Sequence, residues 1–146
     1  MTVEENKELM RRWYEMDDFK GKPQAEIENT TRSVVAEIFS PVWIAHSPQG
    51  DMPYEPFIQY NIAFMNAFPD FNCTVEDQIG DGDRVVTRLT MRGTNTGTFR
   101  GMPPTGKKIE ISAVSVGRFA EGKAVEGWLF SDTLGMMQQL GIIPGQ

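Results

Sequence analysis

The chain has 146 residues, a formal net charge of −6 and 23% charged residues, which is the composition of an ordinary globular protein rather than a disordered one. Its length predicts one domain over residues 1–146. The acidic balance argues against nucleic acid or an anionic membrane as the main partner. No apolar run approaches the ~18 residues of a membrane span, and the acidic start is unlike a signal peptide. We therefore expect a cytoplasmic protein.

Metal and cofactor chemistry find no support in the motifs of the sequence. Cys73 and His46 are the one cysteine and the one histidine, so an internal disulfide is impossible and a structural zinc site is disfavoured. The phosphate-loop, dinucleotide-binding and serine-hydrolase signatures (GxxxxGK[ST], GxGxxG after a strand, GxSxG) are missing. We expect neither a metal nor an organic cofactor.

The first part of the sequence has the apolar spacing of amphipathic helices. Thr2 and Glu5 have the spacing of a capping box at the start of a first helix, and Gly21 and Pro23 end that helix. The further segments predicted here are a helix over residues 24–39, a strand over 42–45, a loop over 49–53 and a helix over 56–68.

From residue 71 the apolar spacing changes to period two, which predicts half-buried strands. Gly80–Asp83 and Glu121–Gly122 are typical of tight turns, and Gly141 and Pro144 close a short last helix. The predicted strands cover residues 71–79, 84–95, 107–119 and 123–131. Helices followed by an antiparallel meander predict an α+β fold with helices on one sheet face, and the concavity between the layers is the expected ligand site.

Two side chains are candidates for acid–base chemistry. His46 has an ordinary pKa near neutrality; it lies either at the mouth of the pocket or on the surface, bonded to backbone. Asp132 follows Trp128–Phe130, which is predicted to be buried, and opens the last helix. An apolar pocket raises the pKa of a carboxyl and suits it to proton transfer. An aspartate here also caps a helix, which lowers its pKa.

Aromatic residues at helical spacing are more typical of a core than of a binding site. This applies to Trp13, Tyr14, Trp43, Tyr54 and Tyr60. Among them, Tyr54 is the best placed to contact a ligand, because it lies in a proline-flanked loop.

The strands carry further polar and reactive side chains. Arg88 and Arg92 share one strand face, and Glu110 on the next strand is a potential ion-pair partner, which is typical of a solvated or dimer-facing surface. Cys73 falls on an apolar strand face and is predicted to be buried and unreactive.

Three stretches in the second half of the chain are distinctive: GTNTG at 93–97, FRGMPPTG at 99–106 and DTLGMMQQLG at 132–141. Together with the strands around them, they strongly resemble the SnoaL-like polyketide cyclase (ester cyclase) family of the NTF2-like, cystatin-like superfamily. The resemblance implies a cone-shaped barrel, with N-terminal helices packed on a curved antiparallel sheet and a short C-terminal helix. It also implies an interior pocket, dimerisation through the outer sheet face, and an intramolecular aldol ring closure without metal or cofactor.

The resemblance assigns pocket positions residue by residue. The family's catalytic aspartate aligns with Leu129, and a glutamine and a histidine of the pocket align with Ala113 and Ser115. A histidine of the GTHTG-like motif aligns with Asn95. Because these polar groups have been replaced, the remaining candidates for a catalytic role are Asp132 and His46. The predicted substrate-binding residues are Trp43, Tyr54, Tyr60, Asn95, Ala113, Ser115 and Leu129.

The first functional hypothesis is a cofactor-free acid/base enzyme of cyclase, isomerase or hydrolase type. It would act on a small hydrophobic carbonyl or polyketide-like molecule. Asp132 would transfer the proton, His46 would assist, and Asn95 and Ser115 would stabilise a developing oxyanion.

Two alternatives use the same fold without catalysis. One is a binding module for a hydrophobic small molecule, which Leu129 and Ala113 favour. The other is a dimeric interaction protein whose core is filled with side chains. In each case we expect a homodimer, because Trp128 and Phe130 share the strand face opposite Leu129.

Overall fold

The computed structural model describes residues 1–143. The predicted helix stop at Pro144 lies outside the described residues. Within them the elements are, in chain order, α1 (Val3–Tyr14), α2 (Gln24–Ile38), β1 (Phe39–Ser47), β2 (Gly50–Pro53), α3 (Tyr54–Ala67), β3 (Asn72–Asp81), β4 (Arg84–Thr94), β5 (Lys108–Ala120), β6 (Lys123–Ser131) and α4 (Thr133–Leu140).

Helix α1 begins with the predicted capping box. Thr2 Oγ1 accepts from the Glu5 amide at 3.1 Å, and the Glu5 carboxylate accepts from the Thr2 amide at 3.1 Å. The helix ends at Tyr14, earlier than predicted, because the next residue, Glu15, forms a hydrogen bond to the sheet. The Glu15 carboxylate accepts from the Val75 amide of β3 at 3.0 Å, which fixes the end of α1 over the sheet.

The six strands form one sheet in the order β2-β1-β6-β5-β4-β3. Strands β3 to β6 make the predicted antiparallel meander. The expectation of a wholly antiparallel sheet is wrong, because β1 pairs with β6 in parallel. The expectation of a loop over residues 49–53 is also wrong, because β2 pairs with β1. The sheet is curved but not closed, and the fold is of the predicted α+β class.

One end of the space between helices and sheet is filled by aromatic rings. Phe39 lies at the centre of this aromatic core, with ring centroids 4.6 Å from Trp43, 5.1 Å from Trp13 and 5.2 Å from Phe57. All four side chains are buried. Gly127 of β6 leaves the space that the Trp43 ring occupies. Any ligand space therefore lies toward the other end of the sheet.

Helix α4 is attached where β5 extends beyond β6. The Gln139 side chain accepts from the Glu110 amide at 2.7 Å and donates to the Glu110 carbonyl at 3.0 Å. It thus makes the two hydrogen bonds that the backbone of a neighbouring strand would make. Gly141, with φ of +76°, ends the helix in the left-handed conformation. Leu140 is thereby buried against Phe68 and Ile109.

Candidate active site

Three of the predicted pocket residues share one wall of the interior. Ser115 on β5 is the register partner of Leu129 on β6, and Ala113 follows on the same face of β5. Ala113 and Ser115 are buried, while Leu129 keeps part of its surface accessible. This wall is apolar except for one hydroxyl. Ser115 Oγ is buried and makes no hydrogen bond.

Tyr14 brings a second hydroxyl to this wall. Burial raises the pKa of Tyr14 to about 12, and an interaction with the Ser115 hydroxyl opposes that shift. The two hydroxyls lie close together without the geometry of a formed hydrogen bond. Tyr14 also retains some accessible surface. At neutral pH it is therefore a proton donor in hydrogen bonding and not a base.

Most side chains around the two hydroxyls are uncharged, and the charged Glu15 and Arg92 are close enough to affect the Cys73 thiol. Burial raises the pKa of the Cys73 thiol to about 12, so it stays neutral, and the prediction that it is buried is confirmed. Leu89 and Ala113 are buried beside it. Besides Tyr14, three partly accessible side chains pack against this cluster: Phe71, Met91 and Leu129. We call these residues, together with Ser115 and Tyr14, the inner wall.

A cavity of about 250 Å³ lies at the end of the sheet opposite the aromatic core. Asn95, one of the predicted ligand contacts, lines it. Its Nδ2 donates to the Gly97 carbonyl at 2.9 Å, and its Oδ1 accepts from the Thr105 amide at 2.9 Å. Asn95 thus organises the loop after β4. The residues lining this end cavity are Phe68, Asn95, Phe99, Met102, Pro103, Thr105, Leu140 and Ile142.

Tyr60 of α3 lies beside the end cavity. Its ring centroid is 6.2 Å from that of Phe99 and 6.3 Å from that of Phe64. Burial raises the pKa of Tyr60, and the nearby Arg100 opposes the increase.

Trp43 and Tyr54 are not brought to either place. Trp43 belongs to the aromatic core, and Tyr54 packs on the outside of the same cluster. The indole Nε1 of Trp43 is buried without a hydrogen-bond partner. That Trp43 and Tyr54 bind a ligand stays a prediction, and their positions in the structure do not favour it.

His46 lies on the outer face of the sheet, not at the mouth of the interior. Its neighbour Ala45 points into the core, and alternation along β1 turns His46 outward. His46 Nδ1 lies 2.8 Å from Asp51 Oδ1, and Nε2 lies 2.8 Å from Glu126 Oε2. Asp51 first and Glu126 second raise the pKa of His46. The residue therefore belongs to a surface ion cluster, in which Arg118 also contacts Glu126.

Asp132 is not enclosed in an apolar pocket, which was one of the two environments considered for it. The residue is exposed, and its Oδ1 accepts from the Gly135 amide at 2.8 Å. It is thus the N-cap of α4, the alternative role given by the sequence. The physical reason is that the chain leaves the sheet after Ser131, and the first turn of α4 requires an acceptor for its free amides.

The outer face of the sheet carries both apolar and charged side chains. Phe130 and Val114 are 55% and 40% exposed, and they are register partners on β6 and β5. Arg92 pairs with Glu110 at 2.8 Å, as predicted. Trp128 lies on the same face, opposite Leu129.

The described residues contain no further obvious functional centre. Among residues 1–143, no group of three or more His, Cys, Asp or Glu side chains is arranged to hold a metal ion. In the same range, every helix is too short or too polar to cross a bilayer. The cytoplasmic location stays a prediction.

The fold agrees with the comparison to known families. The SnoaL-like polyketide cyclase family model matches residues 24–140. The chain therefore belongs to this family, and the match reaches α2, beyond the distinctive motifs of the second half. No curated protein matches the sequence.

Solved structures share the fold over nearly the whole chain. AclR of Streptomyces galilaeus, a proposed hydroxylase, is 25% identical with a TM-score of 0.80, covering 99% of this chain and 86% of that one. IdmH of Streptomyces antibioticus, a proposed polyketide cyclase, is 26% identical with a TM-score of 0.73, covering 93% and 98%. A SnoaL-like protein of Jannaschia sp. CCS1, 24% identical with a TM-score of 0.81 and coverage of 97% and 95%, agrees in fold.

Proposed function

We propose that this protein binds a small, uncharged, largely apolar carbonyl compound of polyketide type on the inner wall. The observation that carries the proposal is the unpartnered hydroxyl of Ser115, which is buried beside the hydroxyl of Tyr14. An unsatisfied buried polar group costs about 1–3 kcal/mol. A ligand oxygen placed between the two hydroxyls removes that cost.

The two hydroxyls favour a carbonyl oxygen over other ligand groups. A carbonyl oxygen has two lone pairs and accepts from both donors at once. An ionised ligand group is disfavoured, because the residues of the inner wall are neutral and desolvation of a charge there is uncompensated. Leu129 and Ala113, which stand where the resemblance places polar groups of the cyclases, add apolar surface for the body of the ligand.

A pair of ligands that differ by one oxygen tests this proposal. We expect the wild-type protein to bind α-tetralone about fivefold more tightly than tetralin in isothermal titration, since one net hydrogen bond contributes about 1 kcal/mol. Ser115→Ala should abolish the preference while tetralin affinity is retained. Thr87→Val, a buried neighbour on β4, is the matched control and should keep the preference. Equal affinities in the wild type, or binding of neither compound, would contradict the proposal.

The second candidate function is catalysis by cofactor-free proton transfer on the same class of compound. Membership of the SnoaL-like family favours it, as does the resemblance to IdmH, a proposed cyclase. Asp132 would transfer the proton from the start of α4, since Oδ1 makes the cap and no hydrogen bond within residues 1–143 engages Oδ2. His46 lies on the other face, so the proposal assigns no step to it.

Asp132→Asn separates catalysis from capping. Asparagine caps a helix about as well as aspartate, so we expect an unchanged melting temperature with turnover lost, as followed by mass spectrometry of products from polyketide-like carbonyl compounds. Asp132→Ala should lose the cap and about 1 kcal/mol of stability. Full turnover by Asp132→Asn would exclude Asp132 as the proton-transfer group.

We also propose that the protein forms a homodimer through the outer sheet face. The exposed Phe130 and Val114 support this, because they lie side by side on the face that carries no helix of the core. A dimeric interaction protein with no ligand remains the alternative. Binding of α-tetralone as described above decides between them.

A further inference from the structure

A positively charged side chain is fixed at the rim of the end cavity. Phe99 and Met102, which both line the cavity, hydrogen-bond to each other's backbone at 2.9 and 3.1 Å. The two residues between them form a tight turn in which Arg100 has φ of +51° and Gly101 has φ of +78°. This short hairpin holds Arg100 at the edge of the cavity.

The Arg100 guanidinium rests on aromatic rings and has no acidic partner. Its Cζ lies 5.3 Å from the ring centroids of Tyr60 and Phe99, an orientation that stabilises a cation. Within residues 1–143, none of the ion pairs closer than 4.0 Å includes Arg100. Its charge is therefore available to an anion from outside the chain.

Lys107 supplies a second positive charge near the end cavity. Its Nζ lies 2.6 Å from the position that a Cβ on Gly141 would take. Gly141 stands between Leu140 and Ile142, which both line the cavity. The ammonium group lies near Gly141 at the C-terminus of α4, where the partial negative charge of the helix attracts a cation.

The interior of the end cavity is apolar and contains no acidic group. Six of its eight lining residues are apolar, and the remaining two, Asn95 and Thr105, bond to each other at 2.9 and 3.1 Å. A neutral polar ligand would thus find its potential partners occupied. The positive rim contrasts with the net charge of −6 on the chain as a whole.

We propose that the end cavity binds a small apolar carboxylate. The apolar body of the ligand lies against Phe68 and Leu140, and its carboxylate meets Arg100 with support from Lys107. An apolar cavity of 150 Å³ holds benzene, so a cavity of about 250 Å³ accommodates one substituted ring or a short alkyl chain. This site differs from the inner wall in its residues and in the charge of its ligand.

Phenylacetate and its neutral isostere phenylacetamide test the proposal by titration of the full chain. We expect the acid to bind about tenfold more tightly than the amide, because a charge-assisted hydrogen bond contributes roughly 1.4 kcal/mol or more. Arg100→Gln should weaken phenylacetate binding about tenfold and leave phenylacetamide binding unchanged. Lys107→Gln should weaken it by a smaller factor.

Arg84→Gln is the matched control, because Arg84 also lies 5.3 Å from an aromatic ring centroid, that of Trp128, but on the outer face. It should bind phenylacetate as the wild type does. Equal binding of acid and amide, an equal loss in both arginine variants, or binding of neither compound would overturn the proposal. Ser115→Ala should leave phenylacetate binding intact, so failure here is distinguishable from failure of the inner-wall proposal.

Discussion

Thr87 and Ser115 are register partners on β4 and β5, and both are buried, but one of the two hydroxyls is hydrogen-bonded and the other is not. Thr87 Oγ1 accepts from Gln78 Nε2 at 3.3 Å, whereas Ser115 Oγ has no partner. A hydrogen bond therefore compensates the burial of the Thr87 hydroxyl, whereas the burial of the Ser115 hydroxyl costs free energy. The unsatisfied one lies where the ligand is proposed to bind.

This difference predicts opposite effects of two similar substitutions. Ser115→Ala removes an unsatisfied polar atom and should raise the free energy of unfolding of the ligand-free protein by about 1 kcal/mol. Thr87→Val removes a satisfied hydroxyl and should lower it by about 1 kcal/mol. Urea denaturation of the two variants measures both. A loss of stability in Ser115→Ala would mean that its hydroxyl is already bonded in the free protein.

The features of the fold that depend only on residues close together in the sequence could be predicted. The capping box of Thr2 and Glu5 and the strand over Lys123–Ser131 are found as expected. The pairing of β1 with β6 in parallel and the strand character of β2 could not be predicted. Both depend on contacts between segments distant in the chain, and a four-residue edge strand that ends at Pro53 carries no pattern of its own.

The site was predicted in part for the same reason. The family resemblance assigned Ala113 and Ser115 to the pocket, and the two residues lie on one face of β5. The position of His46 could not be predicted, because a shift of one residue in strand register reverses its face. Tyr14 was missed as a site residue, since its spacing beside Trp13 is equally typical of plain core packing. Its hydroxyl on an apolar helix stripe was the available signal.

Gly127 and Gly117 face each other on β6 and β5 and should differ in their tolerance of a methyl group. A Cβ on Gly127 would overlap the Trp43 ring, which is buried in the aromatic core. Gly127→Ala should therefore cost about 1–3 kcal/mol. A Cβ on Gly117 would lie 3.1 Å from Met10 Sδ, and a flexible methionine can move. Chemical denaturation should find Gly117→Ala clearly the milder change; equal losses would contradict the packing of Trp43 on Gly127.

Phe130 and Leu134 provide a matched test of the proposed dimer. Their exposed fractions are similar, 55% and 57%, but Phe130 lies on the outer sheet face and Leu134 on α4. Phe130→Lys should give a monomer in light scattering, because two copies would bring buried charges together. Leu134→Lys should remain dimeric. A monomeric wild-type protein, or a dimer in both variants, would exclude this face as the interface.

The ion cluster around His46 should make stability fall as the pH rises above neutrality. Asp51 and Glu126 raise the pKa of His46 in the folded protein above its ordinary value, so folding favours the protonated ring. That stabilisation is complete below the unfolded-state pKa of about 6.5 and is lost as the pH passes the raised folded-state pKa. His46→Gln cannot titrate at this position and should lack this dependence. The difference in unfolding free energy between the wild type and the His46→Gln variant should therefore be larger at a pH of about 6 than at about 9.

Measuring both in the Phe130→Lys background removes any contribution from association at the same face. A difference independent of pH would mean that His46 is not held between the two carboxylates in solution.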